Sequence, residues 1–86
     1  MVEKSLEMIS SNGLHARPAL KLCEMVKEFS GNVCMIHKDK TADMKNIIKI
    51  LALEVKKGSR FTIQISGEGE VDMSEKITEY INNITD

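Results

Sequence analysis

The stretch RFTIQIS, Arg60 to Ser66, alternates apolar and polar residues without a break. Phe61, Ile63 and Ile65 fall on one side of an extended chain, which predicts a strand with one buried face. A strand of this kind is typical of an antiparallel sheet that has one face covered and the other solvated. The segments on either side of it therefore decide what covers the buried face.

Toward the N-terminus the apolar pattern changes its period several times. Alternation over residues 2–9 predicts a first strand, and apolar residues spaced by three or four predict a helix from Ala16 to about Phe29. Residues 32–42 predict a hairpin with a polar turn at 38–40, and we expect the neighbouring His37 to be solvated there. Helical spacing returns over residues 43–55, where Asn46 is suited to be the N-cap.

The segment after Ser66 predicts a third helix. Asp72 and Glu75 follow the sequence GEGE at the spacing of a capping box, and Met73, Ile77, Ile81 and Ile84 form one apolar stripe. The predicted order is β-α-β-β-α-β-α over a single domain, residues 1–86. We expect an α+β fold in which three helices cover one face of a four-stranded antiparallel sheet.

Composition excludes several functional classes. Lys plus Arg number 12 and Asp plus Glu 13, and aromatic residues make up only 3% of the chain. Nucleic-acid binding, which needs a basic face with stacking aromatics, is therefore not expected. No apolar run approaches the length of a bilayer span and no signal-peptide pattern is present, so we expect a cytoplasmic protein without membrane insertion.

The two cysteines, Cys23 and Cys34, do not form a C-x-x-C pair and have no histidine at metal-ligand spacing. Free cysteine behaves as a small buried hydrophobe, so packing is the expected role of both. We expect neither a metal nor a cofactor.

The chemistry of the chain is expected in NGLHARPAL, Asn12 to Leu20, where His15 directly precedes the predicted first helix. A helix N-terminus attracts anions, because its N–H groups lack partners and its dipole is positive there. A neutral imidazole can act as a covalent nucleophile, and Arg17 can donate charge-assisted hydrogen bonds to phosphate. Residue type and spacing alone favour the alternative, an ordinary polar loop before a helix that starts with Pro18.

The motif GLHARPA, Gly13 to Ala19, resembles the phosphorylation site of the HPr family, the histidine-containing phosphocarriers of the bacterial phosphoenolpyruvate-dependent sugar phosphotransferase system. The resemblance extends over essentially all 86 residues, including MKNIIKILAL at 44–53 and KKGSRFTIQISGEGE at 56–70. It implies an open-faced β-sandwich. It also implies that His15 accepts phosphate on Nδ1 from Enzyme I and passes it to EIIA domains, with Arg17 as its phosphate-binding partner.

In this interpretation Gly13, Ala16 and Pro18 shape the site and help to bind the phosphate. A carrier that serves two partners in turn needs an exposed apolar surface near its site, and helical periodicity cannot bury every apolar residue of the second helix at once. The resemblance places Ile47, Ile48 and Leu51 on that surface. The complete set of candidate docking residues, including two lysines for electrostatic steering, is Leu14, Leu20, Lys27, Ile47, Ile48, Lys49 and Leu51.

Two positions depart from the family pattern. Asn46 stands where many HPr proteins of Gram-positive type carry a regulatory serine, so the helix cap is kept while the phosphorylatable hydroxyl is missing. Glu54 stands where the family usually has a glycine that ends the second helix. Glycine suits a left-handed C-cap there, whereas glutamate adopts that conformation only at a cost in energy.

The sequence leads to three hypotheses about function. The leading hypothesis is a monomeric phosphocarrier that lacks a substrate pocket of its own and is therefore not an enzyme. A regulatory module, in which phosphorylation of His15 controls partner binding and not sugar uptake, is the alternative. An autonomous enzyme is disfavoured, because no second acid or base, glycine-rich phosphate loop or metal set accompanies His15.

Overall fold

One antiparallel sheet and three helices make up the computed structural model, which describes residues 1–84. The order along the chain is the predicted one, β-α-β-β-α-β-α. The elements are β1 (Val2–Glu7), α1 (Ala16–Val26), β2 (Asn32–His37), β3 (Lys40–Asp43), α2 (Ile47–Ala52), β4 (Arg60–Ser66) and α3 (Glu70–Asn82). Within the sheet the strands lie in the order β1-β4-β2-β3, so β4 pairs with both β1 and β2. The predicted α+β fold is confirmed.

The alternation in β4 sets the two faces of the sheet. Phe61, Ile63 and Ile65 are buried, as predicted, and they lie opposite Leu6 on β1 and Met35 on β2. These side chains form the floor of an aliphatic core against the apolar stripes of the helices. No helix within residues 1–84 has the length and apolarity needed to cross a membrane.

The first helix is shorter than its pattern predicts. It ends at Val26, and the N–H of Phe29 donates to the Val26 carbonyl oxygen over 3.0 Å in a turn that leads toward β2. Phe29 remains half-buried against the core, which explains why it fits the apolar spacing without belonging to the helix. Pro18 lies in the first turn, where its missing N–H removes no helical hydrogen bond.

The prediction that His37 is a solvated turn residue is wrong. β2 continues through His37, and only Lys38 and Asp39 separate it from β3. The ring is 5% exposed, and its Nδ1 lies 2.8 Å from the Leu53 carbonyl oxygen, to which it donates. A carbonyl from the end of α2 thus supplies the partner that allows a polar ring to be buried at the strand end.

The second helix begins and ends at the positions singled out in the sequence. Asn46 is the N-cap, since its Oδ1 accepts from the N–H groups of Ile48 (3.1 Å) and Lys49 (3.2 Å). After the C-cap at Leu53, Glu54 has φ 53°, the left-handed conformation expected for the family's glycine. The chain therefore ends α2 in the family manner but with a residue that carries a Cβ.

The third helix starts two residues before the predicted capping box at Asp72. Gly69 precedes it with φ 84°, and the Glu70 carboxylate accepts a hydrogen bond from the Gly67 N–H over 3.0 Å. This hydrogen bond, together with the Met1 ammonium group 3.0 Å away, lowers the pKa of Glu70. Ile77 and Ile81 are buried as predicted, while Ile84 is buried beyond the helix end.

Candidate functional site

His15 is the N-cap of α1, with extended backbone (φ −92°, ψ −173°), and its ring is half-buried. Its carbonyl oxygen accepts the first helical hydrogen bond, from the N–H of Ala19 over 3.1 Å. The imidazole therefore stands at the amino end of an 11-residue helix. This is the end at which the helix dipole places its partial positive charge.

The first turn of α1 adds donors at the same end. The N–H groups of Ala16 and Arg17 precede the first residue that can reach a helical carbonyl, and Pro18 has no N–H. Arg17 is exposed, whereas Pro18 is buried and holds the turn against the core. Two backbone N–H groups, a guanidinium group and a histidine ring thus belong to three consecutive residues at this helix end. Such an arrangement can bind a dianion beside a nucleophile.

The loop before His15 is fastened to the segment that follows α2. Gly13 has φ 66°, and a Cβ placed on it would lie 2.7 Å from the Val55 carbonyl oxygen. That oxygen accepts a hydrogen bond from the Leu14 N–H over 2.8 Å. Val55 was not identified from the sequence. The sequence indicates such a contact only through Gly13, because a glycine just before a helix cap often marks the close approach of another backbone segment without showing which one.

Leu14 was expected to be exposed beside the site, and this expectation is wrong. Its side chain is 6% exposed and belongs to the core cluster. The reason is the hydrogen bond to Val55, which holds the Leu14 backbone against the body of the protein while the side chain fills the space between helices and sheet. Leu14 thus supports the loop from beneath.

The His15 ring faces its own loop. Nδ1 lies 3.2 Å from the Gly13 carbonyl oxygen. Because a carbonyl oxygen only accepts hydrogen bonds, this contact requires Nδ1 to carry the proton in this arrangement. The lone pair of a neutral ring is then on Nε2.

An exposed apolar surface lies on α1 and α2, which pack against each other. Ile48 is 74% exposed, Leu20 50% and Leu51 36%, while Ile47 is half-buried. We call these four residues the α1–α2 patch. Ile50, on the opposite side of α2, is buried, so the helix shows the division that its periodicity requires.

The two candidate lysines are both exposed but lie at different distances from the site. Lys49 is on α2 within the surface that carries the patch. Lys27 follows the last residue of α1, about 18 Å along the helix axis from His15 at the usual rise per residue. Lys27 can therefore act on a partner only by long-range attraction or at the margin of an interface.

Comparison with known proteins decides the family. The family model described as "PTS HPr component phosphorylation site" matches residues 2–83. The chain belongs to the HPr family. The phosphocarrier protein HPr of Haemophilus influenzae is 35% identical over 81 residues, which cover 94% of this chain and 95% of that protein. HPr of Mycoplasma capricolum is 40% identical over 55 residues, 64% of this chain and 62% of its own.

Solved HPr structures share the fold. HPr from Bacillus anthracis superposes with a TM-score of 0.87 at 29% identity, covering 93% of this chain and 95% of that one. The structure described as HPr-C-His from Thermoanaerobacter tengcongensis gives a TM-score of 0.90 at 27% identity, covering 95% of this chain and 92% of that one. Crh from Bacillus subtilis, described as a swapped dimer, gives 0.75 at 29% identity and covers 95% and 94%. The phosphocarrier family and its fold are thereby established.

The two cysteines lie away from His15 in this HPr-family chain. Both are half-buried free thiols, and the Cys23 Sγ donates to the Met44 carbonyl oxygen over 3.2 Å. Burial, and to a smaller extent the Asp43 carboxylate, raises the pKa of both thiols. A raised pKa lowers the thiolate fraction and hence the reactivity, in keeping with a packing role.

Proposed function

We propose that His15 accepts a phosphoryl group from phosphorylated Enzyme I and donates it to EIIA domains, so that the chain is a covalent carrier between two proteins. The observation that carries this proposal is the position of the imidazole at the amino end of α1, beside the N–H groups of Ala16 and Arg17. The match to the HPr family supports the assignment of the partners.

In the proposed transfer, a lone pair on Nδ1 of His15 attacks the phosphorus atom of the donor. The Nδ1–P bond forms as the bond between phosphorus and the donor breaks, and the electron pair of that bond returns to the donor. The N–H groups of the first turn and the Arg17 guanidinium stabilise the negative oxygens of the phosphoryl group. Transfer to EIIA reverses these steps with a new acceptor.

Nδ1 has to become available before it can attack. The contact with the Gly13 carbonyl oxygen at 3.2 Å holds a proton on Nδ1. Attack therefore requires the tautomer in which Nε2 carries the ring proton and Nδ1 carries the lone pair. The ring must also rotate, so that the Nδ1 lone pair no longer faces the lone pairs of the carbonyl oxygen. We infer that docking of the donor protein provides this rearrangement.

The α1–α2 patch is the proposed docking surface for both partners. Its exposed apolar side chains lie on α1, which His15 caps, and on α2, which packs against α1, and Lys49 adds positive charge. A carrier that must leave each partner needs a modest apolar interface with some electrostatic steering. A small carrier with a single acceptor site needs no second copy of itself, so we propose a monomer as the working form.

The chain is proposed to carry phosphate without a substrate pocket of its own. Of the two surface grooves described for residues 1–84, one lies at the β2–β3 turn and the other between α1 and α3. Neither is lined by His15 or Arg17. A phosphoryl group on His15 would therefore remain open to a protein acceptor.

The test is a relay assay with the purified chain, Enzyme I and phosphoenolpyruvate, followed by addition of an EIIA domain. Phosphate that appears on the chain and then on EIIA supports the carrier. Phosphate that is accepted but never passed on to any EIIA domain of the source cell would favour the regulatory module. The Haemophilus influenzae HPr serves as the positive control for the activity of Enzyme I.

A further inference from the structure

A groove of about 330 Å³ lies between the β2–β3 turn and the segment that follows α2. It is separate from the candidate phosphorylation site, since His15 and Arg17 do not line it. Its volume is in the range of small-molecule sites. The features of its wall decide which molecule fits.

Three lysines line the groove, Lys38 from the β2–β3 turn, Lys40 from the start of β3 and Lys56 from the segment after α2. None of the three forms an ion pair with another residue in the range 1–84. Against the two carboxylates of the same wall, Asp39 and Glu54, the three lysines leave one positive charge in excess. This excess favours an anion over a neutral ligand.

His37 gives the groove a buried polar group. Its ring is 5% exposed and is fixed through Nδ1, which donates to the Leu53 carbonyl oxygen. Nε2 has no hydrogen-bond partner among the described residues. Because Nδ1 holds the proton of the neutral ring, Nε2 can offer its lone pair to a hydroxyl group of a ligand.

The backbone of the groove is held in an unusual conformation at two places. Lys38 and Glu54 are the two residues other than glycine within 1–84 that have a left-handed φ, 57° and 53°, and both line the groove. The two-residue β2–β3 turn accounts for the first and the end of α2 for the second, so both belong to the local fold and fix the shape of the groove wall. Asp39 and Glu54 add two carboxylates to the wall.

We propose that this groove binds a small phosphate monoester that carries free hydroxyl groups. The ammonium groups of the three lysines hold the phosphate, whereas Asp39, Glu54 and the lone pair of His37 Nε2 accept hydrogen bonds from the hydroxyls. The carboxylates are the reason for this choice, because they would oppose a bare anion but favour an ester with donors beside its phosphate. Binding is noncovalent and does not depend on the function of His15.

The experiment is an NMR titration of the His15→Ala variant with glycerol 3-phosphate, which excludes phosphate bound at the helix N-terminus. We expect saturable shifts of the groove residues, with the His37 Nε2 resonance moving as it does when a neutral imidazole nitrogen accepts a hydrogen bond. Glycerol and sodium chloride at matched ionic strength should produce neither change. Saturable shifts without any change at His37, or equal shifts with glycerol, would overturn the proposal.

A charge-matched pair of triple variants provides the control. Replacement of Lys38, Lys40 and Lys56 by Gln should weaken binding about tenfold or more, since charge-assisted hydrogen bonds are lost. Replacement of Lys4, Lys57 and Lys76 by Gln removes the same charge from exposed positions outside this groove and should leave the affinity within about twofold. Equal losses in the two triple variants would show binding by net charge alone and would contradict the groove.

Discussion

The N–H of Leu14 donates to the carbonyl oxygen of Val55 across 2.8 Å, and this hydrogen bond joins the loop before His15 to the segment after α2. The two segments are far apart in the sequence, so the position of the candidate nucleophile depends on a tertiary contact as well as on the helix that it caps. Gly13 lies at the closest point of this contact.

Replacing Gly13 by Ala tests that contact. The new Cβ would lie 2.7 Å from the Val55 oxygen, on a backbone with φ 66°, so both a clash and strain are expected. We expect the free energy of unfolding to fall by about 3 kcal/mol, as the sum of the two effects, and phosphorylation to slow. Urea unfolding gives the stability change.

Gly58→Ala is the matched control for this variant. Gly58 also has a positive φ, 87°, but a Cβ there would meet no atom within 4 Å. It should cost only the backbone strain, about 1 kcal/mol. Equal losses in the two variants would show that the approach of Val55 to Gly13 is not tight.

Glu54→Gly is expected to stabilise the protein by about 1 kcal/mol, because glycine accepts the left-handed conformation that ends α2. Glu54→Ala removes the same carboxylate but keeps a Cβ, and its stability should stay near that of the parent chain. The difference between the two variants, measured by urea unfolding, isolates the backbone term. A Gly variant no more stable than the Ala variant would rule out strain at this position.

Ile48→Ser tests the α1–α2 patch as a docking surface. Ile48 is 74% exposed, so its loss should change the unfolding free energy by no more than about 0.5 kcal/mol. We expect the KM of Enzyme I for the chain to rise about tenfold, as for a residue at the centre of an interface. Val71→Ser on α3, at a residue 59% exposed, is the control and should leave the KM unchanged. Equal KM values for the two variants would place docking elsewhere.

Arg17→Gln should slow phosphoryl transfer by about tenfold to a hundredfold, since one charge-assisted contact to the phosphoryl oxygens is lost. Arg60, the other arginine of the chain, lies on β4 with Glu7 3.7 Å away. Arg60→Gln should therefore leave the transfer rate unchanged. Rapid-quench measurement of phosphate on the chain compares the two, and a parent-like rate for Arg17→Gln would remove the guanidinium from the mechanism.

The sequence predicted the structural features that depend on interactions between residues close together in the chain. The alternation of Phe61, Ile63 and Ile65 predicted a half-buried strand because burial on one face imposes a period of two. Asn46 was recognisable as a cap because its side chain serves N–H groups only two and three residues away. The motif around His15 was visible for the same reason, since a helix start is a local structure.

The features that sequence analysis missed depend on distant partners. The sequence around His37 is polar and does not show that the buried ring donates a hydrogen bond to the Leu53 carbonyl oxygen. Leu14 is buried because Val55 holds its backbone. The start of α3 is set by the left-handed Gly69 and by a hydrogen bond from Gly67, neither of which the spacing of acidic residues could show.

The central claim is that His15 is the phosphate acceptor, and NMR on the chain labelled with ¹⁵N-histidine tests it most directly. After treatment with Enzyme I and phosphoenolpyruvate, we predict one phosphorus signal coupled to Nδ1 of His15, unchanged resonances for His37, and a folded His15→Ala variant that takes up no phosphate. Phosphate on His37, or no phosphate on a folded chain when the Haemophilus influenzae HPr is phosphorylated in parallel, would contradict the claim.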